Sequence, residues 1–196
     1  MTLSGEYFDA LYEAHDDPWG LSSRWYEQRK YDLTMASLPR PRYRNAFEPG
    51  CSIGVLTTRL APRCDNLLAM DISRACLERA SDRGMPPSVR FRQGALPRDW
   101  PIEVFDLIVF SEVGYYFSRA DLAVVIGHLQ HSLSADGHLV AVHWRQKVVD
   151  YPLSGEEVHQ TLETTTGLHG IAQYRDEFVM LDVFAAGAGG RLTAPE

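Results

Sequence analysis

Residues 48 to 54 read EPGCSIG, and the interpretation of this small-residue loop decides the fold. Gly50, Ser52 and Gly54 spell G-x-S-x-G, the pattern around the nucleophilic serine of α/β-hydrolases. In that fold an oxyanion loop such as HGGG lies upstream of the serine. Here the loop follows the first predicted strand, which ends at Phe47, and nothing like HGGG precedes it. We therefore interpret the segment as a cofactor loop in which Ser52 is a contact residue.

Strands and helices alternate after this loop, which predicts a parallel, doubly wound sheet. The stretch FDLIVF at 105–110 is apolar almost throughout, as is typical of a strand buried on both faces. SADG at 134–137 predicts a turn before a fifth strand at 138–144. A strand ending near 174–175 and another at 178–184 are too close for a helical crossover, so they should pair antiparallel.

The predicted fold class is therefore α/β, with a Rossmann-like, doubly wound sheet of about seven strands. Most of these strands are parallel, and the sheet ends in a C-terminal antiparallel hairpin. Two helices, interrupted by DDPWG, are expected before the sheet. We expect one domain at 1–186, in which 1–40 form a helical lid, and a flexible glycine-rich tail at 187–196.

Composition limits the classes of function. The 196 residues are 45% hydrophobic, enough for one core, and the net charge of -7 disfavours a nucleic acid as the main partner. No apolar run is long enough to cross a bilayer and no secretory signal is visible, so we expect a cytoplasmic protein without a membrane partner. Cys51, Cys64 and Cys76 lack metal-site spacing, and no metal is expected.

Asp71 closes the second predicted strand about 20 residues after Gly50, where a carboxylate can accept hydrogen bonds from ribose hydroxyls. The loop lacks the G-x-G-x-x-G spacing of a dinucleotide fingerprint. The two observations together indicate a cofactor that carries ribose and is not NAD.

Three segments in order, EPGCSIG, LLAMDIS and FDLIVFSEV, resemble the class I S-adenosylmethionine (SAM)-dependent methyltransferases. DPWG, RWYEQRKYDLTMASLP, FSEVGYYF and VHWRQ resemble the nodulation protein S family, N-methyltransferases that act on a free amino group of chitooligosaccharides. The resemblance implies SAM as the cofactor and a small-molecule acceptor, most simply the amino group of an amino sugar. We expect a monomer or a homodimer. A small-molecule O-methyltransferase and a SAM-binding module without catalysis remain alternatives.

The resemblance also implies the cofactor-binding residues. Glu48 would face the ammonium group of SAM, and Asp71 would bind the ribose. This sequence lacks the acid that the family usually places after the third strand for adenine, so adenine recognition would rest on the Ala95 backbone and on Leu96. The complete expected set is Trp19, Arg29, Glu48, Gly50, Ser52, Gly54, Asp71, Ile72, Ala95, Leu96 and Ser111.

Glu112, Tyr116 and His143 are the expected catalytic residues. The first two follow the central strand in SEVGYYF, and His143 closes the fifth strand at the same sheet edge, where parallel sheets bind ligands. Either Glu112 or His143 could take a proton from the acceptor. Alternatively, Glu112 caps the next helix or forms a salt bridge, and His143 is a structural histidine.

Overall fold

The computed structural model describes residues 1–165 and 167–187. Most of the expected tail, residues 188–196, lies outside the described residues. The helices are α1 (Gly5–Ala14), α2 (Trp25–Ser37), α3 (Val55–Leu60), α4 (Arg74–Ser81), α5 (Arg119–Ser132) and α6 (Gly155–Glu163). The strands are β1 (Tyr43–Pro49), β2 (Cys64–Asp71), β3 (Val89–Gln93), β4 (Phe105–Ser111), β5 (Leu133–Trp144), β6 (Leu168–Arg175) and β7 (Val179–Ala186).

One seven-stranded sheet runs in the order β3-β2-β1-β4-β5-β7-β6. The first five strands in that order are parallel, and β7 pairs antiparallel with both β5 and β6. The predicted fold class and the C-terminal hairpin are thus confirmed. The chain winds outward in both directions from β1 and β4, so the loops after these two strands diverge and leave a crevice between them.

Strand β4 occupies the middle of the sheet, and all seven of its residues are buried. Ile108 and Phe110 pack into one hydrophobic cluster, while Leu107 and Val109 pack into a second cluster. Successive side chains of a strand point to opposite faces, so apolar residues are needed at every position where both faces are covered. Burial on both faces therefore explains why FDLIVF is apolar at every position except Asp106.

The expectation of a turn at 134–137 is wrong, because these residues lie inside β5. Leu133 pairs with Phe105, and the register of the ladder shifts between Phe105 and Leu107. Residues 134–137 of β5 therefore form an irregularity within the strand, at the point where the register with β4 shifts. No helix within 1–165 or 167–187 has the length and apolar character needed to cross a membrane. The single-domain boundaries and the lid role of 1–40 stay predictions.

Candidate functional site

A cleft opens at the carboxyl ends of β1, β2 and β4, and its empty space, including the part open to solvent, is about 1130 Å³. We call it the edge cleft. Helices α1 and α2 form its outer wall with Phe8, Tyr12, Glu27, Lys30 and Tyr31. Its inner wall comes from the loops that follow the three strands. The sequence places these loops together because parallel strands all present their carboxyl ends at one edge.

The loop after β1 brings backbone close to the edge cleft. Gly50 has φ +74°, and a Cβ added there would lie 3.1 Å from Val113 Cβ. Ser52 also adopts a positive φ of 51°. Gly54, with φ +77°, is the N-cap of α3 and packs against Ala80 rather than lining the cleft. Of the three expected loop residues, the structure therefore brings Gly50 and Ser52 to the cleft.

Asp71 lines the edge cleft at the end of β2 and holds the loop after β1 in place. Its two carboxylate oxygens accept hydrogen bonds from the backbone N–H groups of Ser52, at 2.8 Å, and Ser73, at 3.1 Å. Burial raises the pKa of Asp71, and these backbone hydrogen bonds oppose the rise. The hydroxyls of Tyr12 and Ser52 hydrogen-bond to each other, which ties α1 to the same loop.

Glu48 lines the cleft from the end of β1 and is 3% exposed. Its Oε2 accepts a hydrogen bond of 2.6 Å from Thr57 Oγ1, in the first turn of α3. Burial raises the pKa of Glu48 to about 8, although the Thr57 hydrogen bond lowers it. A buried carboxyl group with a pKa near neutrality is suited to pairing with a cationic ligand group.

The loop after β3 departs from the expectation for Ala95. Its backbone N–H donates to Asp99 Oδ2 at 2.8 Å, so this donor is already occupied, and Ala95 does not line the cleft. Its neighbours Gly94 and Leu96 do line it, as does Ile72. A ring bound at this end would therefore meet apolar surface from Leu96 and Ile72.

Glu112 lines the edge cleft just after β4, at what we call the β4 end. Its backbone has φ 57°, a conformation that L-residues seldom adopt. Oε2 accepts a hydrogen bond of 2.6 Å from Tyr115 Oη. Within the described residues, the buried Oε1 has no hydrogen bond of normal geometry, although the Trp144 backbone is close enough to lower the pKa of this carboxyl. Burial raises the pKa of Glu112, and the nearby Lys30 lowers it. Strain and an unsatisfied acceptor occur together here, as they often do at functional sites.

Lys30 is the charged group that connects α2 to Glu112. It is 1% exposed, lines the edge cleft, and lies with its Nζ 2.7 Å from Glu27 Oε2 and 3.6 Å from Glu112 Oε2. The rings of Tyr26 and Tyr31 flank the ammonium group, with centroids 5.2 and 5.7 Å away. We call Glu27, Lys30 and Glu112 the charged triad. A completely buried lysine requires partners of this kind.

The prediction that His143 faces the acceptor is wrong. Its ring is completely buried and does not line the edge cleft. Nε2 accepts a hydrogen bond of 3.0 Å from the Gly114 backbone N–H, and Nδ1 lies 2.9 Å from His159 Nε2. Burial, followed by the neighbouring His159 and Lys30, lowers the pKa of His143 well below its usual range. Both ring nitrogens are occupied, so His143 has no free lone pair for a substrate proton.

Some of the remaining predicted site residues line the edge cleft and one does not. Trp19, Ser111 and Tyr116 line the edge cleft. Arg29 does not: its guanidinium pairs with Asp176 at 2.7 Å and contacts Tyr174, which holds α2 against the β6–β7 hairpin. No group of three or more His, Cys, Asp or Glu side chains suited to a metal ion occurs in the described ranges.

The family model described as Nodulation protein S (NodS) matches residues 10–155. This chain belongs to the NodS family. Nodulation protein S from Rhizobium tropici is 33% identical over 130 residues, which are 65% of this chain and 55% of that protein. The protein of the same name from Sinorhizobium fredii is 31% identical over 130 residues, 65% of this chain and 60% of its own length. The matches thus span little more than half of these curated relatives.

Solved structures agree with the family fold. A putative methyltransferase from Pseudomonas syringae is 43% identical, with a TM-score of 0.74, and the match covers 83% of this chain and 99% of that one. N-methyltransferase NodS from Bradyrhizobium japonicum, solved in complex with S-adenosyl-L-homocysteine, has a TM-score of 0.83 at 24% identity, over 95% and 100% of the two chains. The architecture of the NodS family is therefore present from α1 to the β6–β7 hairpin.

Sequence reasoning missed several residues of the cleft, among them Tyr12, Glu27, Lys30 and Tyr115. From the sequence, Lys30 is close to a basic cluster of Arg40, Arg42 and Arg44, which is expected to form a solvated face. The available signal was the i, i+3 spacing of Glu27 and Lys30 between two tyrosines, which marks a paired charge on an apolar helix face. The contact with Glu112, 82 residues later in the chain, exists only in the folded protein.

Proposed function

We propose that this protein is a SAM-dependent methyltransferase that transfers a methyl group to the amino group of an amino sugar or oligosaccharide-like small molecule. Membership of the NodS family and the fold shared with an N-methyltransferase support the activity. One observation carries the assignment of the acceptor. The charged triad, with an unpartnered carboxylate oxygen on Glu112, lies in the same cleft as the small-residue loop and Asp71.

The residues at the β1–β2 end fit SAM. Gly50 leaves space where any side chain would meet Val113, so a ligand can approach the backbone there. Buried Glu48 is suited to the ammonium of the methionine moiety, directly or through water, and Asp71 to the ribose hydroxyls. Leu96 and Ile72 offer apolar surface to the adenine. Trp19 and Tyr12, whose rings pack edge to face at 5.6 Å, close this end from α1 and the loop after it.

When bound, SAM would supply an electrophilic methyl group, which the lone pair of an amine can attack in line with the C–S bond while the electrons of that bond leave with the thioether sulfur. The protein must orient the amine, exclude water and remove a proton. We assign the proton transfer to Glu112, because its Oε1 is free to accept it. Tyr115 and Lys30 hold the other oxygen in place.

The charges of the triad favour an amine over a hydroxyl acceptor. Two carboxylates and one ammonium leave one negative charge unbalanced when all three groups are ionised. An acceptor that enters as an ammonium ion balances this charge, whereas a neutral hydroxyl leaves it uncompensated in a desolvated site. Phe8, Tyr31 and Tyr116 supply aromatic wall surface, on which the apolar face of a sugar ring can pack.

Mass spectrometry of an acceptor panel tests this proposal. The purified chain is incubated with SAM and glucosamine, glucosamine oligomers, the matching N-acetylated oligomers, or unrelated small amines. We expect one methyl group on nitrogen in the free-amine sugars and none in the fully acetylated controls. Product methylated only on oxygen would contradict the amine assignment. SAM binding without any product would support a non-catalytic module.

A further inference from the structure

A buried chain of polar groups connects the far side of the sheet with the loop that carries Glu112. Asp182 on β7 bonds to His159 Nδ1 on α6. His159 Nε2 lies 2.9 Å from His143 Nδ1 on β5, and His143 Nε2 lies 3.0 Å from the Gly114 nitrogen. The three side chains are 2%, 1% and 0% exposed. We call these three residues the histidine relay.

The two ends of the relay determine where its protons lie. Burial raises the pKa of Asp182, but hydrogen bonds from His159 and Arg175 outweigh this and lower the pKa to about 2, so its carboxylate only accepts. At the other end the Gly114 N–H can only donate. Each imidazole between them must therefore donate from Nδ1 and accept at Nε2. Reversal of either tautomer would set one N–H against another.

The relay ends on a loop that has little freedom to rearrange. A Cβ at Gly114 would lie 2.6 Å from Val158 Cγ1 and 2.8 Å from His143 Nε2, so only glycine fits. Two residues earlier, Glu112 holds its positive φ, and its backbone N–H donates to Val142 O at 2.8 Å. The hydrogen bond to His143 thus anchors the backbone between Glu112 and Tyr116, both of which face the edge cleft.

We propose that His143, His159 and Asp182 are positioning residues, which hold the 112–116 loop in the conformation that presents Glu112 to the acceptor. Their action passes through the Gly114 backbone and involves no contact with acceptor or cofactor. The catalytic readout of this inference rests on the proposed methyl transfer, but the hydrogen-bond pattern does not.

The surroundings keep His143 neutral and fix the direction of the relay. The charge of Lys30 opposes a positive charge on His143 and so lowers its pKa, and the rings of Phe110 and Tyr115 pack edge to face against the imidazole. Arg175 and Gln173 also bond to Asp182, at 2.7 and 3.0 Å, and so fix the carboxylate that sets the direction.

Nitrogen-15 NMR of the folded wild-type protein at neutral pH provides the first test, and it requires no activity. We expect His143 and His159 both in the Nδ1–H tautomer, and a Gly114 amide that exchanges slowly with solvent. An Nε2–H tautomer at either ring, or rapid exchange at Gly114, would overturn the relay even if methyl transfer is confirmed. Conversely, an inactive protein with the expected spectrum would count against the proposed function alone.

His143→Phe then tests the consequence, because it keeps a planar aromatic ring at this position and removes the acceptor for the Gly114 N–H. We expect kcat to fall roughly 10- to 100-fold while the Kd for SAM changes less than about threefold. His138→Phe is the matched control, since His138 is buried on the same strand but contacts Tyr43, away from the loop. It should leave kcat unchanged.

Asp182→Asn is a second variant, with nearly unchanged side-chain volume. It replaces the carboxylate that only accepts hydrogen bonds, and so weakens the constraint on which nitrogen of each imidazole carries the proton. We expect a drop of about tenfold in kcat, again without loss of SAM affinity. If both variants fold and keep wild-type kcat, the positioning role is excluded. A parallel loss of melting temperature, SAM affinity and kcat would show that the relay serves only the general stability of the fold.

Discussion

The two ends of the edge cleft are built in different ways. At the β1–β2 end, Asp71 has each carboxylate oxygen on a backbone N–H, and Glu48 has Thr57 as a partner. At the β4 end, Glu112 holds a strained backbone and a buried oxygen for which the described residues offer no partner. Hydrogen bonds thus hold the carboxylates of Asp71 and Glu48 at the first end, whereas Glu112 at the second end leaves a buried acceptor unused. This difference suggests that the first end binds and the second reacts.

Glu112→Gln tests the reacting end most directly. Replacement of the carboxylate by an amide removes the proposed proton acceptor, so turnover should fall about 10²- to 10⁴-fold with little change in SAM affinity. Initial rates and calorimetry measure the two quantities. Glu156→Gln, which breaks only an exposed ion pair with Arg145, is the control and should retain full turnover. Wild-type turnover in Glu112→Gln would remove this end from the chemistry.

Glu48 gives the binding end a pH signature in the unliganded protein. Its folded pKa of about 8 lies above the ordinary value of 4.5. The folded state therefore holds a proton that the unfolded state has released. The contribution of this bound proton to the free energy of unfolding is complete below about pH 4.5 and is lost as the pH rises to about 8.

Urea denaturation of the wild type and Glu48→Gln, at pH 5 and pH 8.5, measures this contribution because other titrating groups cancel between the two proteins. The free energy of unfolding of the variant, relative to that of the wild type, should rise by on the order of 3 kcal/mol between pH 5 and pH 8.5. An equal stability difference at both pH values would mean that Glu48 is ionised in the folded protein throughout.

Asp71→Ala weakens binding without touching the reacting end. Loss of hydrogen bonds to two ribose hydroxyls should cost about 1 to 3 kcal/mol, roughly a 5- to 150-fold rise in the Kd for SAM. Asp65→Ala is matched to it, because Asp65 lies on the same strand in an exposed ion pair with Arg42. Calorimetry that finds the same affinity in both variants would contradict the assignment of Asp71.

Gly50→Ala tests whether cofactor binding at the β1–β2 end depends on the backbone conformation of the loop. A side chain at φ +74° should cost about 1 to 2 kcal/mol of folding stability and weaken SAM binding. Gly127 lies inside α5 with no atom within 4 Å of an added Cβ, so Gly127→Ala should instead gain up to about 1 kcal/mol. Loss of stability from both substitutions would argue against a special role for the loop conformation.

Ser52→Ala should have the smallest effect. The variant loses one hydroxyl partner of Tyr12, so we expect at most about 1 kcal/mol in stability and most of the activity retained. Tyr12→Phe removes the same hydrogen bond from the other side and should behave alike. Covalent labelling of Ser52 by a fluorophosphonate probe would reinstate the hydrolase interpretation of EPGCSIG.

The binding end could be predicted from sequence because its residues are close to strand ends that local patterns reveal. EPGCSIG and the Asp71 position follow directly from two short apolar strands. The reacting end could be predicted only in part. Glu112 follows the central strand and was found, whereas Lys30 read as a surface residue because its partner lies on a distant segment. His143 was placed at the correct strand end, but no local pattern reveals that its ring is covered by α6.

Because Lys30 is buried, the two lysines of the chain differ in their accessibility to chemical reagents. Lys30 is enclosed between two carboxylates, whereas Lys147 is exposed on the segment after β5. Amine-directed reagents applied to the native fold should therefore reach Lys147 and the N-terminal amine and pass over Lys30. A fluorophore or resin joined through lysine would be attached at one defined side-chain position, with the charged triad left chemically intact.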